Sequence, residues 1–217
     1  MLFRSELVGA EADRRQRVVV DRDPVALDAA EAVASIVGIE AMTMDQVAKK
    51  ARLSRALLYV YFGDKSDLLT AICTRALEVL EARFSAAAAS RELGIDKVEA
   101  CGRSYVAFAA EFPVRFEALA LFEAQLPSIE EDPGYMACLK AGDAVQCTLV
   151  AGIEAGQRDG SIRAEAGAPG LIGFTLWGLM HGLIQLGSHK SGHLQRDGIS
   201  PQELIENGFR LALQALS

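Results

Sequence analysis

Between Thr43 and Phe62 the chain has to fit two helices into twenty residues, and that compression constrains its fold more than any other feature. Thr43-Met-Asp-Gln46 is a capping box: a threonine at the N-cap satisfies an orphan amide, and the glutamine at the third helical position reaches back to the N-cap. The helix it opens has room only for Met44–Ala51. Arg52-Leu53 is left as a tight turn, and Ser54 caps a second helix over 55–61. Upstream, Leu27, Ala30, Val33 and Val37 recur at helical spacing, with Gly38 as the C-cap. Downstream, Asp64 caps a long helix carrying Leu68, Ile72, Ala76, Leu80 and Phe84, with Asp67 three residues after the cap. Three helices in about forty residues, the last two joined by a very short turn, are a helix-turn-helix arrangement. Leu53, Leu58 and Phe62 are the expected packing that fixes the angle of the third helix. Its exposed face then suits the major groove, which is wide enough to admit a helix.

The charge supports a nucleic-acid partner only in its distribution. The net charge is −7, which alone argues against one. From Thr43 to Lys65, however, five basic residues (Lys49, Lys50, Arg52, Arg55, Lys65) face two acids (Asp45, Asp64), whereas 12 basic and 19 acidic residues follow Lys65. A local positive field on an acidic body suffices for docking to phosphates. Residues 1–23 are polar and aperiodic, with Arg14, Arg15, Arg17 and Arg22 among acids. They read either as a disordered tail or as an arm touching DNA backbone or minor groove.

The remainder reads as helix throughout, in keeping with its alanine and leucine content. Helices are expected near 95–111, 113–124, 133–158, 168–187 and 200–216, with breaks at Gly94, Pro113, Pro127, Pro133, Gly160, Pro169, Gly192 and Pro201. The fold class is therefore all-α, with about nine helices: a flexible arm (1–23), a three-helix DNA-binding domain (24–65), and a helical ligand-binding and dimerisation domain (66–217). No unbroken apolar run suggests a membrane span and no signal peptide is evident, so a cytoplasmic chain is expected. Cys73, Cys101, Cys138 and Cys147 form no CxxC pair and read as reduced, buried small residues.

The stretch Thr43–Leu69, TMDQVAKKARLSRALLYVYFGDKSDLL, resembles the DNA-binding signature of the TetR family, through Val47-Ala48, Ala51, Leu53-Ser54, Leu58-Tyr59, Tyr61-Phe62, Lys65 and Leu68-Leu69. Asp159-Gly-Ser-Ile-Arg163 and Trp177–Gly182 also sit where family members carry similar residues. The resemblance implies that Thr43, Ser54, Tyr59, Tyr61 and Lys65 meet phosphates, although either tyrosine reads equally as core. Arg55, opening the recognition helix, is the expected base reader, because arginine grips guanine O6 and N7 with two hydrogen bonds. Leu57 suits a thymine methyl. The family often has glycine where this chain has Arg52 and Ala56, and a small polar residue where it has Leu57, which points to an unusual operator.

The function that follows is a sequence-specific transcription regulator, a repressor released from double-stranded DNA by a small, largely apolar effector. The alternative is a regulator of the same fold governed by a protein partner or by abundance. Candidate pocket residues are Arg103, Tyr105, Phe108, Phe112, Phe122, Gln146, Trp177 and His181, with Gln125 in addition, since bundles place small-molecule sites between helices. The same aromatics at helical spacing read as core. His181, His189 and His193 lack ligand-spaced neighbours, so no metal and no cofactor is expected, and no nucleophile or carboxylate pair points to an enzyme. Ile172, Leu176, Leu179, Leu183 and Leu186 with Leu204, Phe209, Leu211 and Leu213 exceed what one chain hides, so the last two helices are expected to form a four-helix homodimer interface. A two-fold dimer then implies a near-palindromic operator.

Overall fold

The computed structural model describes residues 23–124, 132–189 and 191–217, so the expected arm (apart from Asp23) and Gln125 lie outside the described residues. Among the described residues there are ten α-helices and no strand. They are α1 (Pro24–Val37), α2 (Met44–Ala51), α3 (Arg55–Tyr61), α4 (Lys65–Ala89), α5 (Gly94–Glu111), α6 (Pro113–Ala124), α7 (Pro133–Asp159), α8 (Pro169–His189), α9 (Ser191–Arg196) and α10 (Pro201–Leu216), with a 3-10 turn at Ala164–Ala166. The tenth helix is α9, a short helix that includes Gly192, a position expected as a break. Five prolines open helices, Pro24, Pro113, Pro133, Pro169 and Pro201, where a fixed φ is preorganised and the missing N–H costs nothing.

The chain divides into two compact units. The first gathers residues up to Leu77 with Phe112–Ala141, and the second gathers Glu78–Glu111 with Gly142–Ser217. The units are thus drawn differently from the functional boundary expected after Lys65. In the first unit, Leu68, Ala71 and Ile72 of α4 and Ala118 of α6 join Ala30, Val47, Leu58 and Phe62 in one buried cluster. Three short helices bury too little apolar surface alone, so the start of α4 and α6 complete their core. A network of charges lies alongside. Arg115, 9% exposed, donates through Nε to Glu31 at 3.0 Å, and Arg75 bridges Asp28 at 2.6 Å and Glu31 at 3.4 Å.

In the second unit, α5 begins against α7 so closely that a Cβ on Gly94 would meet the Gly156 nitrogen at 1.9 Å. The Asp159–Arg163 segment explains how that start is held. The Asp159 carboxylate accepts from the Gly94 amide at 2.8 Å, and the Ser161 hydroxyl accepts from Ile95 N–H at 3.1 Å. Both satisfy otherwise orphan amides of α5. Hydrogen bonds from the Ser161 side chain, the Gly94 amide and the Ser161 amide hold the Asp159 carboxyl below the usual aspartate range. Ile162, 1% exposed, fills the space beside Gly156.

Two expectations need correction. Cys73, Cys101 and Cys138 are buried, but Cys147 is exposed, because it falls on the outward side of α7. Burial pushes the Cys101 thiol up to about 11. In the expected dimer face, Ile172 and Phe209 are only 6% exposed and belong to the chain's own core. The apolar side chains that α8 does expose include Leu171 and Phe174, at 68% and 69%. Windows of 18 residues in α7 and α8 reach a mean hydropathy of 1.2, a composition that core helices also show, and Lys140, Asp143, Glu154 and Arg158 interrupt α7.

Candidate functional site

The first unit presents α3 on a fixed frame. Thr43 Oγ1 accepts from the Gln46 amide at 3.3 Å while Gln46 Oε1 accepts from the Thr43 amide at 2.9 Å, closing the capping box of α2. Ser54 Oγ accepts from the Leu57 amide at 3.1 Å and starts α3. The turn between them passes through Arg52 at φ 59, the one non-glycine residue with positive φ among the described residues, and is closed by Leu53 N–H donating to the Ala48 carbonyl at 3.0 Å. Leu58 and Phe62, both fully buried, lock α3 from within, while Leu53 and Tyr61 pack partly against the same core.

What α3 leaves outside is Arg55, Ala56, Leu57, Tyr59 and Val60. Arg55 is held on this surface rather than waving free. Its Nε lies 3.0 Å from Asp45 Oδ1 on α2, its Nη1 donates to Asp45 Oδ2 at 3.4 Å, and its guanidinium stands 5.6 Å above the Tyr59 ring. Asp45 takes Nε and one Nη1 proton, and since a guanidinium carries five N–H donors, protons remain for an incoming acceptor. Lys49, Lys50 and Arg52 are also exposed. Lys65 is placed differently from a free phosphate anchor. Its ammonium donates to the Glu40 carbonyl at 2.6 Å, tying the first turn of α4 to the segment before α2. The two tyrosines separate: Tyr59 is exposed, and Tyr61 leans on the core.

The second unit contains a small, apolar cavity of about 40 Å³. Of the expected pocket residues it includes Tyr105 and Trp177 in its wall. The remaining wall comes from Phe84 on α4, Val98, Glu99 and Gly102 on α5, Leu149 on α7, Leu176 and Met180 on α8, and Phe209, Ala212, Leu213 and Leu216 on α10. The other expected residues do not line it. Phe108 is fully buried core. Phe112 and Phe122 belong to the first unit, where Phe112 underlies the Arg115 guanidinium at 4.5 Å and Phe122 packs on Tyr135 at 5.5 Å. Gln146 presses its buried Oε1 toward Gly173. His181 stands behind the wall: its Nδ1 is 2.7 Å from the Tyr105 hydroxyl, and burial pushes its pKa down. Arg103 lies at the edge, donating to Glu99 at 2.7 Å and to Glu206 at 3.0 Å and 3.2 Å. The α10 contribution was missed because its apolar residues were assigned to a dimer face. Only the pairing of helices reveals that one side of α10 closes on its own chain.

Residues 26–72 match the model of the family described as bacterial regulatory proteins, tetR family. No curated protein sequence matches the chain. Solved structures share its fold across most of its length. A protein of unknown function from Rhodococcus sp. RHA1 superposes with TM-score 0.71 at 22% identity, covering 88% of this chain and 93% of its own. A tetR-family regulatory protein from Rhodococcus RHA1 gives TM-score 0.67 at 18% identity, covering 89% and 95%. The fatty acid degradation regulator FadR of Bacillus halodurans gives 0.66 at 14% identity, covering 89% and 98%.

Proposed function

We propose that this chain, with its TetR-family signature and regulator fold, works as a dimeric, sequence-specific DNA-binding repressor released from its operator by a small, largely apolar molecule. The observation that carries the reading is the construction of α3. Fully buried Leu58 and Phe62 fix the helix, while Arg55, Leu57, Tyr59 and Val60 stand outside as a reading surface of one cation and apolar groups. Arg55 reads a guanine and Leu57 a thymine methyl. Thr43, Ser54, Tyr59, Tyr61 and Lys65 set the register on the backbone, with Ala56 leaving room for close approach. Lys65 does so as a strut as much as a charge.

Two reading heads require two chains. Exposed Leu171, Phe174, Leu179 and Leu186 form an apolar side of α8, and Gly178 and Gly182, with nothing near their Cβ positions, let a partner helix approach closely. Exposed Leu211 on α10 extends the surface. Its burial against a second copy supports a homodimer on a near-palindromic operator with half-sites about 34–36 Å apart.

The ligand reading rests on the cavity and on α4, one 25-residue helix. Its Leu68 and Ile72 belong to the core that holds α3, and its Phe84 belongs to the cavity wall. A molecule that prefers one tilt of α4 shifts the spacing of the reading heads. It changes operator affinity only by its unequal affinity for the two states, typically about 5–150-fold. The neighbour named for fatty acid degradation supports an apolar effector class. Selection of genomic fragments by the purified protein, followed by anisotropy with and without a panel of lipophiles, tests the reading. One enriched palindromic motif, released by a lipophile, is expected. Binding indifferent to sequence would overturn it.

A further inference from the structure

Resting on the reading of this cavity as the effector site, we propose that it is built for a lipophilic organic cation, whose charged end takes the place now held by the Arg103 guanidinium. The wall is apolar and largely aromatic: Phe84, Tyr105, Trp177 and Phe209 with Val98 and Leu149. From Val98 to Tyr105 on α5, and from Phe209 to Leu216 on α10, the walls run seven residues, or about 10 Å of helix rise. That is the reach of a medium alkyl chain or a pair of fused rings. Within this wall the Tyr105 hydroxyl is engaged by His181, and Glu99 is the one charged lining residue. Among the described residues no cationic side chain lines the cavity itself, and the cation at its edge, Arg103, is already paired.

At the edge the chemistry suits a cation. Glu99 and Glu206 both accept hydrogen bonds from Arg103, whose guanidinium sits 4.6 Å above the face of Phe209. Two carboxylates and a ring face are the groups that recognise a positive charge. With Arg103 counted, the set carries one net negative charge. Arg103 is 48% exposed on a flexible stem, so a competing cation would displace it into solvent, at the cost of its bidentate pair with Glu206 and its bond to Glu99. The neighbouring cation on α10, Arg210, donates to Asn207 and does not neutralise the pair. A carboxylate headgroup would have to draw Arg103 away from both partners while facing their charge.

Trp177 is the single tryptophan of the chain and lines the cavity, so its emission reports occupancy without reference to DNA. Full-length protein is titrated with decyltrimethylammonium, 1-decanol and decanoate, all below their micelle concentrations. The cation is expected to bind about fivefold more tightly than decanoate, which faces the one net negative charge of the set while the cation exchanges with Arg103, with decanol between and the difference shrinking in high salt. In the Glu99→Gln/Glu206→Gln variant the ratio should fall toward one with decanol unchanged. Arg103→Ala, which vacates the site, should tighten the cation alone. Thermal melts establish that the variants are folded. Decanoate binding as tightly as the cation, or Arg103→Ala weakening the cation, overturns the proposal while leaving the cavity a ligand site. Silence of Trp177 toward all three probes overturns both the proposal and the effector reading beneath it.

Discussion

Replacing Arg55 by alanine should separate reading from folding. In the free protein the residue makes one ion pair, with Asp45 at 3.0 Å, between side chains 66% and 63% exposed. Exposed pairs contribute about 0–1 kcal/mol, and the cation–π contact with Tyr59 adds about 0.5 kcal/mol at such a site. The variant should therefore lose about 1 kcal/mol or less, a shift of roughly 2–4 °C in Tm for a chain of this size. On DNA the same residue is expected to hold a guanine with two hydrogen bonds, worth about 1–3 kcal/mol of discrimination in each half-site. Lys65→Ala gives the opposite profile. Its ammonium bonds the Glu40 carbonyl at 2.6 Å, and a hydrogen bond to a charged group contributes about 1.5–3 kcal/mol. Loss of that strut should lower Tm and weaken binding to every sequence about equally, with a salt slope reduced by about one if a phosphate contact is also lost. The assay is anisotropy on operator and scrambled duplexes at several salt concentrations, beside thermal melts. An unchanged ratio of specific to nonspecific affinity in Arg55→Ala, with a collapsed ratio in Lys65→Ala, would refute the assignment.

Other outcomes follow from the geometry. Arg52→Gly should raise the unfolding free energy in urea by up to about 1 kcal/mol, because Arg52 holds a left-handed φ that costs an L-residue about that much; a fall would show that its side chain matters more than its backbone. Glu31→Ala, which strands the nearly buried Arg115, should cost about 3–5 kcal/mol in urea unfolding. Phe174→Asp should leave the helical circular dichroism intact and convert the dimer to monomer by light scattering. His181, its pKa pushed below 6.5 by burial, is protonated more readily in the unfolded chain. Its contribution is therefore complete above about pH 6.5 and is lost as pH falls toward the folded pKa; His181→Gln should flatten stability against pH in that window.

Much of the first unit is legible in residue order because its signals are local. The Thr43–Gln46 box, the Ser54 cap and the buried positions Leu58 and Phe62 act within a few residues of one another, and all appear where the sequence indicates. The helical class follows for the same reason. The prolines mark boundaries in sequence, but whether each ends one helix or opens the next depends on the backbone before it. The cavity is different. Tyr105 and Trp177 could be named from the sequence, but Phe209, Leu213 and Leu216 could not be told from dimer-facing residues. An amphipathic pattern states that a face is apolar and not which partner it meets. The pairs Glu31–Arg115, Arg103–Glu206 and Tyr105–His181 span 84, 103 and 76 residues. Such contacts exist only once helices cross, because burial and hydrogen bonding depend on distance in space, and packing alone brings these side chains within reach.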